Sequence, residues 1–139
     1  MDSKVVKLYR ISHYFYLKKR FFLSKIVRVI IRILFSAEIP PSCLLGKNIQ
    51  IKHGGLGVVL HDNLVVGEDC VIYQNVTIGG REKSGTPKIG NNVYIGAGAC
   101  ILGNVKIGNN VKIGANSVVI KDVSDGETVV GIPAYVIRR

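Results

Sequence analysis

Residues 89–124 read IGNNVY, IGAGAC, ILGNVK, IGNNVK, IGANSV and VIKDVS, which are six consecutive blocks of six residues. An aliphatic residue opens every block, glycine follows it in four of the six, and the fifth place holds Val, Ala or Ser. A register held over six blocks is an internal repeat, and the rest of the chain has to be interpreted around it.

A period of six residues fits neither a helix of 3.6 residues per turn nor a long alternating strand. It fits short strands joined by turns that wind into a solenoid, where the opening aliphatic residue points inward and stacks on neighbouring coils. The small fifth residue faces the interior near a corner. Gly and Asn, as in Gly90-Asn91-Asn92, fill corners where φ is positive. The sequence therefore predicts an all-β solenoid over residues 37–139.

The predicted solenoid is interrupted at two places. The hexad register slips between His53 and Asn63, and a polar loop insertion occupies residues 80–88. Regular coils have only a structural role, so we expect function at the places where the repeat breaks.

Residues 1–36 are predicted to form a short helical segment. Residues 5–35 contain no Gly or Pro, and Pro40 and Pro41 prevent a helix from continuing soon afterwards. The segment has nine basic residues and one acidic residue, so it carries +8 of the chain's net charge of +10. Two interpretations stay open: the helices cap the open end of the solenoid and pack against sister subunits, or a basic amphipathic face rests on an anionic membrane surface.

Composition argues against several classes of protein. Charges interrupt the apolar run, so no spanning helix is expected, and no recognised motif supports nucleic-acid binding. Three cysteines without a CxxC pattern argue for a reducing compartment and against a disulfide or zinc framework. Only two of the three histidines lie in the repeat, so no metal site is expected. We expect a cytoplasmic protein, with the inner face of the membrane as a more specific location.

Several segments resemble the hexapeptide-repeat acyltransferases, and within them the serine acetyltransferase branch and its relatives in polysaccharide gene clusters. The resemblance covers roughly residues 37–139 and rests, besides the hexads, on Ala37-Glu-Ile-Pro-Pro, His53-Gly-Gly-Leu-Gly-Val-Val, Gln74-Asn-Val-Thr-Ile-Gly-Gly, Tyr94-Ile-Gly-Ala-Gly-Ala, Lys112-Ile-Gly-Ala-Asn-Ser-Val-Val and Gly131-Ile-Pro-Ala. It implies a left-handed parallel β-helix, which is an exception to the usual right-handed crossover. It also implies acetyl-CoA as the acetyl donor and a homotrimer.

His53 is the candidate general base. Transfer of an acetyl group to a hydroxyl needs a base for the hydroxyl proton, and the unperturbed pKa of histidine lies near the working pH. His53 sits at the register slip between Lys52 and Gly54-Gly55, and it matches the catalytic histidine of the family. Glu38 matches the family's acidic partner, whose role is to orient the imidazole. The 15-residue separation is close to one 18-residue coil, so we expect the two side chains to stack.

The other candidate site residues fall into two groups. By the resemblance, the donor lies in a groove between neighbouring subunits, where small residues leave its carrier arm room beside the backbone; these are Ala97, Gly98 and Ala115. Lys121 and the terminal Arg138 or Arg139 match positions whose charge meets the nucleotide phosphates. Candidate acceptor contacts at the two breaks are His61, Arg81 and Thr86.

The chain also departs from the serine acetyltransferase pattern. Their catalytic histidine follows an Asp, but His53 follows Lys52, and their loop ends in Arg-His-Pro, whereas this one ends in Gly85-Thr86-Pro87. Their large N-terminal helical domain is replaced by residues 1–36. We therefore expect an acetyl-CoA-dependent O-acetyltransferase that acts on a hydroxyl of a sugar or polysaccharide precursor. The alternatives are a serine O-acetyltransferase, an amino-sugar N-acetyltransferase and a silent scaffold.

Overall fold

Two helices precede a stack of short strands in the computed structural model, which describes residues 1–83 and 85–137. Helix α1 spans Lys4–Leu17 and helix α2 spans Phe21–Phe35. The fourteen strands of the described residues are β1 Leu44–Leu45, β2 Gln50–Ile51, β3 Val59–Leu60, β4 Val65–Val66, β5 Val71–Ile72, β6 Thr77–Gly79, β7 Lys88–Ile89, β8 Tyr94–Ile95, β9 Cys100–Leu102, β10 Lys106–Ile107, β11 Lys112–Ile113, β12 Val118–Val119, β13 Thr128–Gly131 and β14 Ala134–Val136.

Each strand from β1 to β9 pairs in parallel with the strand three places further along the chain, so three strands make one coil. The first sheet has the order β1-β4-β7-β10, and the third has the order β3-β6-β9-β12. The second sheet runs β2-β5-β8-β11-β13 and ends with β14, which pairs with β13 in the antiparallel sense. Ile51, Ile72, Ile95 and Ile113 align in register. The predicted fold, a left-handed parallel β-helix preceded by helices, is confirmed.

The core consists of the two hexad positions that the sequence marks as inward. All six block-opening residues of 89–124 are buried, and so are all six residues at the fifth place, including the polar Ser117. Because each inward side chain is covered only by its equivalents in the coils above and below, every coil depends on its neighbours for burial.

Glycine and asparagine divide the corner positions between them. At the predicted corners it is Asn92 and Asn110 that have left-handed φ, at 54° and 59°, whereas Gly90 and Gly108 do not. Glycine is needed there for close approach, because a methyl group at Gly90 would lie 2.9 Å from the backbone of Gly108 in the next coil. The prediction that Gly and Asn fill the corners is correct, but for these glycines the reason is coil-to-coil contact rather than φ.

Helix α1 covers the first coil. Val5, Val6 and Tyr9 are fully buried in the same core as the β-helix, and the hydroxyl of Tyr9 donates a hydrogen bond to the carbonyl of Cys43. The backbone amide of Ser3 donates to the carbonyl of Ile49 over 3.1 Å, which ties the start of the helix to the coil. Helix α1 thus covers the open end of the β-helix, whereas packing against sister subunits stays a prediction.

Helix α2 lies outside α1 and leaves an apolar face uncovered within the chain. Ser12 and Ser24 each donate a side-chain hydrogen bond of 3.0 Å to the other's carbonyl where the helices meet. The opposite face of α2 exposes Phe22, Leu23, Ile26, Val29, Ile30, Ile33 and Leu34. Within the described residues, neither helix has the length and apolar character needed to cross a membrane.

We predict that the buried thiols resist alkylation. Burial raises the pKa of Cys43 to about 12 and also raises the pKa of Cys70, so neither forms the reactive thiolate at pH 8. Iodoacetamide followed by mass spectrometry should leave both unmodified in the native protein, modify the half-buried Cys100 slowly, and modify all three after unfolding. Native-state labelling of Cys43 as fast as Cys100 would contradict the packing of the first coil.

We predict that Gly67→Ala destabilises the β-helix by about 1–3 kcal/mol, the usual cost of overpacking. A methyl group at Gly67 would lie 2.5 Å from the carbonyl oxygen of Gly90 and would also clash with Asn91, whereas at Gly79 its nearest neighbour would be the side chain of Leu102 at 4.0 Å. Gly79→Ala is the matched control, since neither glycine has a left-handed φ. Urea unfolding should separate the two variants, and equal midpoints would show that coil contact does not require glycine.

Candidate active site

His53 occupies a strained turn at the end of β2. Its φ is 54° and its ψ is 38°, and Gly54 and Gly55 that follow also have positive φ. Histidine adopts this conformation uncommonly, and such backbone strain concentrates at functional sites. The two glycines allow the turn to fold onto the end of α2, because a methyl group at Gly54 would meet the ring of Phe35 at 3.3 Å. The register slip seen in the sequence is thus a turn that presents an exposed imidazole.

Two tyrosine rings continue from His53 down the β-helix. The ring centroids of His53 and Tyr73 are 6.3 Å apart, and those of Tyr73 and Tyr94 are 5.3 Å apart. Tyr73 directly follows β5 and Tyr94 begins β8, so the three rings belong to successive coils. We call these three residues the aromatic column. The sequence analysis missed both tyrosines, although aligning the coils places Tyr73 beside Lys52, next to His53.

Glu38 is held by helix α2. Its Oε1 is 2.5 Å from Nη2 of Arg28, and its Oε2 is 3.3 Å from Nε of Arg32. Its backbone amide donates to the carbonyl of Val58 over 2.8 Å, so Glu38 extends the third sheet beside β3. In the described part of the chain no hydrogen bond or ion pair joins Glu38 to His53. The structure does not bring the predicted pair together, and an orienting role for Glu38 stays a prediction.

The predicted donor contacts share an edge with His53. The chain passes from the second sheet to the third through the turns 52–58, 73–76, 96–99 and 114–117, which we call the His53 edge. These turns stack through backbone hydrogen bonds of 2.8–3.0 Å from an amide in one turn to a carbonyl in the turn before it. The bonds run from Asn75 to Leu56, from Gly98 to Gln74 and from Asn116 to Ala97. Ala97 and Gly98 are half-buried and Ala115 is exposed, so small residues line this edge beneath the imidazole.

The predicted acceptor contacts lie on a different edge. The turns from the third sheet to the first form the His61 edge, which contains residues 61–64, 80–83, 85–87, 103–105 and 120–122. Nδ1 of His61 is 3.4 Å from Oγ1 of Thr86 and 2.8 Å from the carbonyl oxygen of Asp62. Arg81 lines a surface cleft of about 350 Å³ with Asn104 and Ile120. Lys121 is exposed on the same edge. Arg138 and Arg139 lie outside the described residues.

Comparisons with known proteins identify the repeat. Residues 86–121 match the family model described as bacterial transferase hexapeptide (six repeats). The chain is 46% identical to the serine acetyltransferase of Synechococcus elongatus over 94% of its own length and 54% of that protein's. It is 42% identical to that of Staphylococcus xylosus over 93% of its own length and 61% of that protein's. The chain therefore spans little more than half the length of these relatives.

Solved structures show the same architecture. The serine acetyltransferase of Neisseria gonorrhoeae superposes with a TM-score of 0.91 at 40% identity, over 96% of this chain and 54% of that one. A serine acetyltransferase in complex with CoA gives a TM-score of 0.89 at 38% identity, over 96% of this chain and 55% of that one.

These comparisons confirm the resemblance to hexapeptide-repeat transferases and correct its extent. A match over 94% of the chain is longer than residues 37–139, so it includes most of residues 1–36. The two helices are thus shared with the relatives rather than a replacement for their helical domain. The narrower assignment to a branch associated with polysaccharide biosynthesis is not shown, because the relatives are named serine acetyltransferases.

We predict that the Glu38–Arg28 ion pair stabilises the attachment of α2 by about 1 kcal/mol, because Arg28 is partly exposed and solvent screens the pair. A double-mutant cycle of Glu38→Gln and Arg28→Met, followed by urea unfolding, measures the coupling free energy. Lys25→Met is the control, since no ion pair of Lys25 occurs among the described residues. Equal coupling of Glu38 to Arg28 and to Lys25 would contradict a specific pair.

Proposed function

We propose that this chain forms the catalytic β-helix of an acetyl-CoA-dependent O-acetyltransferase with His53 as the general base. One observation carries the proposal: the strained turn of His53 lies in the first coil, on the same edge of the β-helix as the small residues of the following turns. The proposal is further supported by 42–46% identity to serine acetyltransferases over 93–94% of the chain.

The residues of the His53 edge suit a thioester donor with a long carrier arm. Ala97, Gly98 and Ala115 carry no side chain beyond Cβ, so an extended arm can lie close to the backbone of successive turns. CoA occurs in one of the similar structures, and a bound acetyl-CoA would supply the activated acetyl group. In this proposal Lys121 and the terminal arginines bind the phosphates of the donor. The His53 edge of one subunit and the His61 edge of its neighbour, which carries Lys121, would then form the donor groove together.

His53 then handles the proton of the acceptor. Neutral imidazole takes the proton from the acceptor hydroxyl as its oxygen attacks the thioester carbonyl. The new ester bond forms, the carbon–sulfur bond breaks, and the imidazolium returns the proton to the departing thiolate. An amine acceptor would need the same base, so N-acetylation of an amino sugar uses the same arrangement.

L-serine is the acceptor that the relatives favour, because the similar proteins and structures are named serine acetyltransferases. A sugar hydroxyl is the second candidate. The departures of this chain from the serine acetyltransferase pattern favour the sugar. Lys52 instead of an acidic residue precedes His53, and the loop has Thr86 in place of Arg-His-Pro, with its hydroxyl 3.4 Å from His61.

We also propose that the chain forms a homotrimer and that the basic helical segment, residues 1–36, provides its contact surfaces. The exposed apolar face of α2 requires a partner, and sister subunits around a three-fold axis would supply one. The net charge of +8 in residues 1–36 would suit the anionic inner face of a membrane as a second partner. Analytical ultracentrifugation and liposome co-sedimentation at low salt test the two separately.

We predict that His53→Asn lowers acetyl transfer by about 10²–10⁴-fold, since the variant lacks a base near neutral pH. Asparagine tolerates the left-handed φ of 54°, so the turn should stay folded. The measurement is acetyl-CoA-dependent thiol release with L-serine, nucleotide sugars and oligosaccharides as acceptors. Unchanged acetyl-CoA binding and circular dichroism control for folding. Full activity in the variant would refute the mechanism, whichever acceptor is used.

A further inference from the structure

The outward position of Tyr94 does not need an aromatic ring to build the fold. Tyr94 is 41% exposed and lies in register between Val71 and Lys112, at an outward position of the second sheet. The corresponding outward residues of neighbouring strands in the first sheet, Lys88 and Lys106, are solvent-facing lysines. An outward position in a coil therefore does not require an aromatic ring.

The position of Tyr73 places the column between the base and the donor residues. The turn of Tyr73 lies next to the turn of His53, where the amide of Asn75 donates a hydrogen bond to the carbonyl of Leu56. On its other side lies the turn of Gly98, whose amide donates to the carbonyl of Gln74. The Tyr73 ring contacts the imidazole on one side and Tyr94 on the other. Tyr73 is half-buried and Tyr94 is exposed, so a molecule bound within reach of His53 at this edge would meet the accessible parts of these two rings.

We infer that the aromatic column is the acceptor platform and that it takes a pyranose ring. This inference rests on the proposed acetyl transfer and chooses the sugar over serine. A pyranose has an apolar C–H face that packs on an aromatic ring and a rim of hydroxyls, one of which would point at His53. Tyrosine is suited to such a ligand because its body is apolar and its tip is polar. Serine has no face to stack, and the column offers no charge to its ammonium or carboxylate.

The test compares Tyr73→Leu and Tyr94→Leu with Tyr14→Leu, which removes an exposed tyrosine from α1. Acceptors are methyl pyranosides, UDP-linked sugars and L-serine, with KM measured for both acceptor and acetyl-CoA. Loss of ring stacking should raise the KM for a sugar roughly tenfold in the column variants. The KM for acetyl-CoA and the Tyr14→Leu variant should stay unchanged, and Tyr73→Phe should restore sugar KM, because the face of the ring is retained.

Three results would overturn the inference while leaving acetyl transfer intact. They are acetylation of serine alone, an unchanged sugar KM in both column variants, and an equal rise in the KM for acetyl-CoA, which would make the column part of the donor site. Absence of acetyl transfer to every acceptor, together with absence of acetyl-CoA binding to the wild type, would instead refute the proposed function.

Discussion

Each coil of this protein is buried by the coil above it and the coil below it, and by little else. The inward row of aliphatic residues is too thin to form a core within one coil, so stability is a property of the stack. Two ends are then left open. Val5, Val6 and Tyr9 of α1 close the first coil, and β14 folds back against β13 at the last. The helices are therefore part of the core of the β-helix, which agrees with the match that extends through them to the relatives.

Stacking also determines where a site can lie. Turns that occupy the same corner in successive coils form a continuous edge, and a ligand longer than one coil can only be held along such an edge. The first coil breaks its register at Lys52–Gly55, which raises His53 above the small-residue turns of the coils below. The described residues of the second break, 80–83 and 85–87, lie on a different edge together with His61. Within the described residues of one chain the two breaks lie on separate edges, and the proposed site would combine these two edges from different copies of the chain.

The sequence predicts those features that the repeat itself expresses. The block-opening and fifth positions and the register slip at His53 could be identified, because a period or its interruption marks them. The helices were predicted from composition, but whether they cap the β-helix stayed open. The partner of Glu38 could not be, since a spacing of 15 residues places two backbones on adjacent coils but does not fix the direction of a long side chain. Arg28 and Arg32 lie four residues apart and so on one face of α2, and only the packing of that helix brings them to Glu38. Tyr73 was overlooked because a single aromatic residue does not alter the hexad pattern.

The arrangement around Glu38 constrains how the base operates. Both carboxylate oxygens are engaged, one by Arg28 and the other by Arg32, and Arg28 also approaches Asp62 at 3.8 Å. A carboxylate that neutralises two guanidinium groups is a weaker acceptor for an imidazole N–H than a free one, since its charge is already shared. An orienting role for Glu38 stays a prediction, and the described features that restrain His53 are the left-handed backbone of its turn and the neighbouring ring of Tyr73, whose centroid is 6.3 Å from that of the imidazole. In the proposed mechanism the aromatic column would restrain His53 at the same place where it receives the acceptor.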